Sequence, residues 1–397
     1  MKQLLLKLCL LIALLSTNAF YAQNIFSANK GRTAQKKYYT TIPYKEVKTK
    51  VIIQCLINGK PYNFIVDTGA ITTISPALHK ELNLQVIKHI PVRDQSGRVD
   101  SLQTVSLKNV QLGDVTFNDI PTVVAKESEF FDCFKVDGFI GSNMLRNSIV
   151  QFASQTKLLT ITNATEKLHL NNKVAINMIT DPYQSNPYIK IDIIDGENTG
   201  TEELLFDSGM DNFYDLAYKN FLEIAKISPL KIEAEAVGSN SLGIHGPANE
   251  EKLYRVFIPE LIVNGYLFKN ITTITTHGSS SRIGAPLFKY GVVTLDYINK
   301  KFYFEPYQKD AKNLAEKSWP FIPTVKEGKV VIGLVWDKAW EGKINTGDIL
   351  VSFDGETYED ADVCDVLTTD HSSANSAAVV VLKDAATGAI KQYEVTR

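Results

Sequence analysis

Short runs of alternating hydrophobic and polar residues dominate the chain after about residue 40. The clearest are KVIIQCLI, YNFIVD, VSLKNVQL, VTFNDI and KLLTIT. Polar or glycine-containing turns separate these runs at spacings of about eight to twelve residues, which is typical of an all-β barrel or sandwich. The pattern therefore predicts a mainly β fold.

Two segments favour helices instead. The stretch LAYKNFLEIAKI, residues 216–227, has the spacing of an amphipathic helix, and SPALHKELNL, residues 75–84, opens with Ser and Pro. Serine before a helix and proline in its first turn are common start signals. We expect a helix in each segment.

The first residues have the layout of a secretory signal peptide. Positive charge at Lys2 and Lys7 precedes a short apolar core, and small polar residues follow up to Ala22. A retained signal anchor is the alternative, but the apolar core is short for a membrane span. We expect residues 1–22 to be removed, the mature protein to be periplasmic or secreted with no membrane span, and the basic residues 23–40 to form a flexible linker or short pro-segment.

The chain also contains a long internal repeat. Residues 51–70 match residues 188–210, because in both a strand, a glycine-bearing turn and a second strand lead into Asp-Thr/Ser-Gly. Residues 137–161 match residues 280–304, where Ile-Gly precedes a Leu-containing stretch and two strands. The distance from Asp to the following Ile-Gly is nearly the same in both copies. We interpret this repeat as a duplicated β lobe.

The duplication pairs two carboxylates, Asp67 and Asp207. Either one alone is most simply a turn residue, since Asp and Gly are common in turns. Two carboxylates held close together share one proton, and such a pair can activate a water molecule. Paired carboxylates also serve glycosidases, although not on a duplicated Asp-Thr/Ser-Gly turn.

These residues resemble the aspartic proteases, the pepsin and retropepsin group, including exported bacterial members. The resemblance rests on residues 67–70, 207–209, 139–141 and 282–284 and covers about residues 41–307. It implies a two-lobed acid-protease fold and an aspartic endopeptidase acting on protein or peptide substrates as a monomer. We expect an N-terminal lobe at residues 41–165 and a second lobe at residues 166–312.

The resemblance also implies roles for individual residues. Asp67 and Asp207 would be catalytic, and the hydroxyls of Thr68 and Ser208 would bond across the lobe interface. The supporting turn residues would be Thr68, Gly69, Ala70, Ser208 and Gly209, and the residues packed behind the carboxylates would be Ile140, Gly141, Ile283 and Gly284. Residues 92–101 would form a flap with Ser96 and Gly97 at its tip.

The second turn differs from the first. It continues with Met210, which is bulkier than Ala70, and with Asp211, which adds a negative charge. Either change could shift the proton affinity of the pair. A catalytically inactive peptide-binding protein therefore remains an alternative.

The last part of the chain, residues 313–397, resembles a bacterial PDZ domain. The resemblance rests on Gly342–Leu350 and Val351–Gly355, and it implies binding of an extended peptide by strand addition. A partial match to the peptide-binding loop places that role at Ile332, Gly333 and Leu334. A purely structural appendage and an adaptor led by this domain are the alternatives.

Composition and charge narrow the range of possible ligands and partners. The chain has 397 residues and a net charge of −2, so its charge gives no reason to expect binding to nucleic acid or an anionic membrane. The six histidines are scattered without metal-ligand spacing, and we expect no metal or cofactor. Of the cysteines after the signal peptide, Cys55 is expected to be a small buried hydrophobe, and the disulfide pairing stays open.

Overall fold

Two β lobes followed by a smaller C-terminal sheet make up the computed structural model. It describes residues 27–397 except 127–128, 172–173, 228–229, 240–241, 244–245, 248, 371–372 and 374. The predicted signal peptide, residues 1–22, lies outside the described residues. The predicted mainly β fold is confirmed. Within the described part of the chain, no helix is both long and apolar enough to cross a membrane.

In its described residues, the first lobe has thirteen strands, three short helices and a closing 3-10 turn at Thr165–Lys167. Its elements are β1 (Arg32–Thr33), β2 (Tyr39–Val47), β3 (Lys50–Ile57), β4 (Lys60–Asp67), β5 (Thr73–Ile74), α1 (Pro76–Leu82), β6 (Lys88–Arg93), β7 (Val99–Leu107), β8 (Val110–Leu112), β9 (Val115–Asn118), β10 (Ile120–Val124), α2 (Glu129–Phe134), β11 (Gly138–Gly141), α3 (Ser142–Leu145), β12 (Ile149–Ala153) and β13 (Leu158–Thr162).

The second lobe repeats this arrangement with longer strands and a 3-10 turn at Ala285–Lys289. Its elements are β14 (Ile176–Thr180), β15 (Pro187–Asp195), β16 (Asn198–Asp207), β17 (Tyr214–Ala217), α4 (Tyr218–Ile227), β18 (Lys231–Gly238), β19 (Leu242–Gly243), β20 (Gly246–Pro247), β21 (Glu251–Val263), β22 (Tyr266–Thr276), β23 (Arg282–Gly284), β24 (Gly291–Asp296), β25 (Lys301–Pro306) and β26 (Lys312–Asn313).

The strand pairings show that the lobes are duplicates. Each begins with an antiparallel hairpin, β3–β4 or β15–β16, whose second strand ends at the Asp of the repeated turn. A later strand, β11 or β23, then returns parallel to that second strand. The predicted helices also occupy equivalent places, and Ser75 caps α1 by accepting a hydrogen bond from the backbone N–H of Leu78.

A six-stranded sheet joins the lobes. Its order is β2-β13-β12-β24-β25-β14, and the β12–β24 pair connects one lobe to the other. Buried apolar side chains from both lobes form one continuous hydrophobic cluster around it. This shared sheet holds the two halves in a defined relative position.

The described part of the predicted flexible linker or pro-segment belongs to the fold. Ala28 is fully buried and donates its backbone N–H to Tyr183 O of the second lobe at 2.6 Å. Thr33 pairs with Phe117 in the first lobe. The expectation of flexibility is therefore wrong for residues 27–40, because these backbone groups find partners in both lobes.

The C-terminal module, residues 319–397, has a separate sheet and core. Its strands follow the order β27-β28-β29-β31-β32, with β30 paired to β29, and ten buried residues fill its own hydrophobic cluster. The elements are β27 (Phe321–Lys326), β28 (Lys329–Val335), a 3-10 turn (Lys338–Trp340), β29 (Ile349–Phe353), β30 (Glu356–Thr357), α5 (Val363–Thr368), β31 (Ala377–Lys383) and β32 (Ile390–Thr396).

This module is attached to both lobes. A disulfide joins Cys133 of α2 to Cys364 of α5, and Cys55 is a free thiol that is buried, as expected. On the other side, Gly333 O of β28 accepts the backbone N–H of Ser239, next to β18, at 3.0 Å. The module therefore bridges the lobes rather than hanging from the end of the second one.

We expect the Cys133–Cys364 disulfide to stabilise the protein. It links positions 231 residues apart, so the double variant Cys133→Ala/Cys364→Ala should lose about 2–4 kcal/mol of unfolding free energy. Urea denaturation measures the change. Reductant should destabilise the natural protein to a similar extent and leave the double variant unaffected. Equal stability of the two proteins without reductant would contradict the expectation.

Candidate active site

Two buried hairpins deliver Asp67 and Asp207 to the same place. Each Asp ends the inner strand of its hairpin, and a glycine of the parallel neighbouring strand lies directly opposite it, Gly141 beside Asp67 and Gly284 beside Asp207. The preceding residues of those neighbouring strands, Ile140 and Ile283, are fully buried. The four residues predicted to lie behind the carboxylates are therefore found there.

The turn glycines bring the two carboxylates close together. A methyl group at Gly69 would lie 2.7 Å from Asp207 Oδ1, and one at Gly209 would lie still closer to Asp67 Oδ2. Each glycine also donates its backbone N–H to its own aspartate at 2.9 Å. Only a residue without a side chain allows this approach.

Reciprocal hydrogen bonds lock the two turns together. The Thr68 hydroxyl donates to Phe206 O, and the Ser208 hydroxyl donates to Val66 O, both at 2.8 Å. Each hydroxyl also accepts the backbone N–H of the other residue at 3.0 Å. Thr68 and Ser208 are completely buried. These are the cross-lobe contacts that the family resemblance implies.

A second pair of cross-lobe contacts was not predicted from the sequence. Lys50 Nζ donates to Gly209 O, and Asn186 Nδ2 donates to Gly69 O at 3.0 Å. The two donors occupy equivalent positions at the start of the first hairpin strand of each lobe. Because Lys50 lies 17 residues before Asp67 and Asn186 lies 21 residues before Asp207, an ungapped alignment of the sequence repeat does not pair them.

Lys50 also neutralises the extra acidic residue of the second turn. Its ammonium group lies 2.9 Å from Asp211 Oδ1, and Thr49 donates a hydrogen bond to the same oxygen. Burial acts to raise the pKa of Asp211, but the charge and hydrogen bonds of Lys50 and Thr49 outweigh it and lower that pKa. Asp211 is therefore an ion-pair partner beside the site.

Met210 leaves the geometry of the turn intact. Its backbone N–H bonds to Asp207 O, and its carbonyl accepts from Ala285, just as Ala70 bonds to Asp67 and Ser142. The Met210 side chain is buried. A bulky residue is accommodated here because its side chain packs beneath the turn, against Gly284.

A buried arginine contacts the second carboxylate. Arg282 Nη1 lies 3.2 Å from Asp207 Oδ2, and Nη2 lies 2.6 Å from Asp215 Oδ2. Asp215 is buried and also accepts a hydrogen bond from Asn212. The sequence repeat includes Arg282 only as the residue before Ile283-Gly284, and it does not mark Asp215.

The environment favours a proton on Asp67. Burial raises the pKa of Asp67, and the neighbouring charge of Asp207 raises it further, to about 7. The charge of Lys50 and the N–H of Gly69 act in the opposite direction. A carboxyl group with this pKa can hold a proton in the same solution in which a neighbouring carboxylate is ionised.

The predicted flap is a hairpin formed by β6 and β7. At its tip, Ser96 is held by Asp94, which accepts from its N–H and its hydroxyl, and Gly97 has a positive φ of 81°. The tip reaches the second lobe, where Gln95 Oε1 accepts from Arg282 Nη1 at 3.1 Å. The tip of this hairpin therefore contacts the residue that binds Asp207.

One cavity of about 740 Å³ connects the carboxylates with the C-terminal module. Its lining comes from both lobes, from the flap and from β27, β29 and α5 of the module. The predicted peptide-binding residues lie elsewhere. Ile332 and Leu334 are fully buried, and both edges of β28 are occupied by β27 and β29, so the placement at Ile332, Gly333 and Leu334 is wrong.

Comparison with protein families gives one match, placed over the first lobe. Residues 53–147 match the family described as gag-polyprotein putative aspartyl protease. This segment contains Asp67 and its turn, α1, the flap and the Ile140–Gly141 strand. The match supports an aspartyl protease of the retropepsin type. No curated protein matches the chain.

Among the described residues, no cluster of three or more His, Cys, Asp or Glu side chains could hold a metal ion.

The raised pKa of Asp67 predicts a pH-dependent stability difference. The folded protein binds this proton more tightly than the unfolded chain, so its stabilising effect is complete below about pH 4 and is lost as pH rises through about 7. Asn does not titrate. We expect Asp67→Asn to gain stability relative to the natural protein, by on the order of a few kcal/mol between about pH 4 and 7.5.

Urea denaturation at a series of pH values measures this difference. Asp360→Asn, at an exposed position of the C-terminal module, is the control for removing one carboxylate away from the site. A pH-independent difference for Asp67→Asn would show that Asp67 titrates normally.

Proposed function

We propose that the protein is an exported aspartic endopeptidase that hydrolyses peptide bonds in protein or peptide substrates, with Asp67 and Asp207 as its catalytic pair. The observation that carries this proposal is the convergence of two carboxylates from duplicated turns under a flap. The family match over residues 53–147 supports the same reaction class. Because one chain supplies both carboxylates, a monomer is sufficient.

The proposed reaction uses a water molecule as nucleophile. One carboxylate is ionised and takes a proton from the water, whose oxygen attacks the scissile carbonyl carbon. The other carboxyl is protonated and gives its proton to the carbonyl oxygen. The C–N bond then breaks as the first Asp passes its proton to the leaving amine, while a hydroxyl of the intermediate returns a proton to the second. Both groups end as they began.

Export is supported by two independent features. The first twenty-two residues have the signal-peptide pattern, and the Cys133–Cys364 disulfide is of the kind that persists in oxidising compartments. A periplasmic or secreted protein fits both.

A second candidate is peptide binding without hydrolysis. The second turn motivates it, because Met210 and Asp211 differ from the corresponding residues of the first turn. The two candidates differ in one measurable property, namely whether product forms.

We expect Asp67→Asn and Asp207→Asn each to lower kcat/KM by about 10²–10⁴-fold, because each removes one of the two proton-transfer groups. Mass spectrometry of a peptide library incubated at a series of pH values measures cleavage. The control Asp360→Asn should cleave like the natural protein. Full activity in either Asp67→Asn or Asp207→Asn would show that the two carboxylates are not a catalytic pair. If the natural protein binds peptides but forms no product, the second candidate is favoured.

We also propose that the PDZ-like module binds the part of the substrate that extends beyond the carboxylates. The connected cavity supports this role, since β27 is the edge strand of the module and lines it. Edge strands are where extended peptides add to a sheet. The proposal replaces β28 with β27 as the peptide-binding strand.

Replacing Thr369 with Arg tests the module. Thr369 is exposed and lines the cavity, so the larger side chain should obstruct a long peptide and raise its KM by about tenfold, or about 1.4 kcal/mol of binding. A short peptide that reaches only the carboxylates should be unaffected. The control Ile390→Arg lies on an exposed strand outside the cavity lining. If the natural protein, Thr369→Arg and Ile390→Arg have equal KM values for long peptides, the module does not bind substrate.

A further inference from the structure

The two lobes place different residues at one equivalent position beside the carboxylates. In the first lobe, Phe139 pairs with Ile65, two residues before Asp67. In the second, Arg282 pairs with Leu205, two residues before Asp207. Phe139 packs against aromatic side chains of α2, with ring centroids 5.5–5.7 Å apart. The duplicated fold therefore carries a cation on one side of the pair and an apolar ring on the other.

Arg282 is held in place by three contacts. It bonds Asp207 and Asp215 through different nitrogens, and Gln95 of the flap tip accepts from the nitrogen that faces Asp207. Only 11% of its side chain is exposed. Burial acts to lower the pKa of Arg282, and the two carboxylates raise it overall, so the guanidinium stays charged.

The other charged groups around the pair do not balance this asymmetry. The charge of Lys50 acts on Asp67, but its ammonium group is bonded to Asp211 and Gly209 O. The charge of Lys48 acts on Asp211, and Asp215 is paired with Arg282. Tyr188 also lies near Asp207, and burial raises its pKa. Asp207 is thus the carboxylate in direct contact with a cation.

We propose that Arg282 is a positioning residue that holds Asp207 as the ionised member of the pair and leaves the shared proton on Asp67. This inference rests on the proposed function and assigns the two roles within it. Asp207 takes the proton from the attacking water, and Asp67 donates to the carbonyl oxygen of the scissile bond. Gln95 at the tip of the flap accepts a hydrogen bond from the same guanidinium. The closed flap therefore contributes to the environment that keeps Asp207 ionised and Asp67 protonated.

Titration of the resting protein tests the assignment without substrate. With ¹³C-carboxyl-labelled aspartate, the pair should titrate with one low and one near-neutral apparent pKa in the NMR spectrum. The carboxyl that remains in Asp67→Asn should titrate at a lower pH than the carboxyl that remains in Asp207→Asn. The opposite order would overturn the proposal, and this comparison does not require any change at Arg282.

Replacing Arg282 tests its role directly. Arg282→Gln should raise the lower apparent pKa by about 1–3 pH units, since an opposite charge at this distance lowers a carboxyl pKa by that amount. The acid limb of the kcat/KM profile should move with it, and Arg282→Lys should restore part of the shift. Arg255→Gln, which removes a guanidinium elsewhere in the second lobe, should leave both values unchanged.

The outcomes separate this inference from the proposed function. Loss of activity in Arg282→Gln with both apparent pKa values unchanged would assign Arg282 a purely structural role and overturn the inference. If the natural protein cleaves no peptide, the proposed function fails. The NMR titration would still show which carboxyl holds the proton.

Discussion

The reciprocal hydrogen bonds between Thr68 and Ser208 are the contacts on which the rest of the site depends. They consume two hydroxyls and two backbone N–H groups in a completely buried place, so neither turn can move without leaving polar groups unpaired. Each turn thereby fixes the position of the other. The carboxylates converge because their supporting backbones are bonded to each other across the lobe interface.

That convergence brings like charges into a region with little water, and the surrounding residues offset them. Four carboxylates lie in or beside the site, those of Asp67, Asp207, Asp211 and Asp215. Two cations face them, with Lys50 paired to Asp211 and Arg282 bridging Asp207 and Asp215. Asp67 has no ion-pair partner among these contacts, and burial together with the neighbouring charge of Asp207 raises its pKa.

The sequence predicted the features that the repeat contains. Two Asp-Thr/Ser-Gly turns followed by Ile-Gly at similar distances are enough to predict two lobes and a pair of carboxylates. The equivalence of Lys50 and Asn186 was not predicted, because their hairpins differ in length and the two residues lie at different distances from the Asp of each turn. The role of Arg282 was not predicted for a different reason. Its contact with Asp207 depends on Asp215 and Gln95, which lie close to Arg282 only in the folded chain.

The C-terminal module shows the same limit of local pattern. The Ile-Gly-Leu pattern at residues 332–334 is the same in a peptide-binding edge strand and in a central strand, and only the pairing of β28 on both sides distinguishes the two.

The attachments of the C-terminal module have a mechanical consequence. The disulfide fixes α5 to the first lobe, while Gly333 and Ser239 fix β28 to the second. The close approach there requires glycine, because a methyl group at Gly238 would collide with Gly333 O. A module anchored at both sides of the cleft cannot swing away as a free appendage, so the cavity between it and the carboxylates keeps a lining from the lobes and the module.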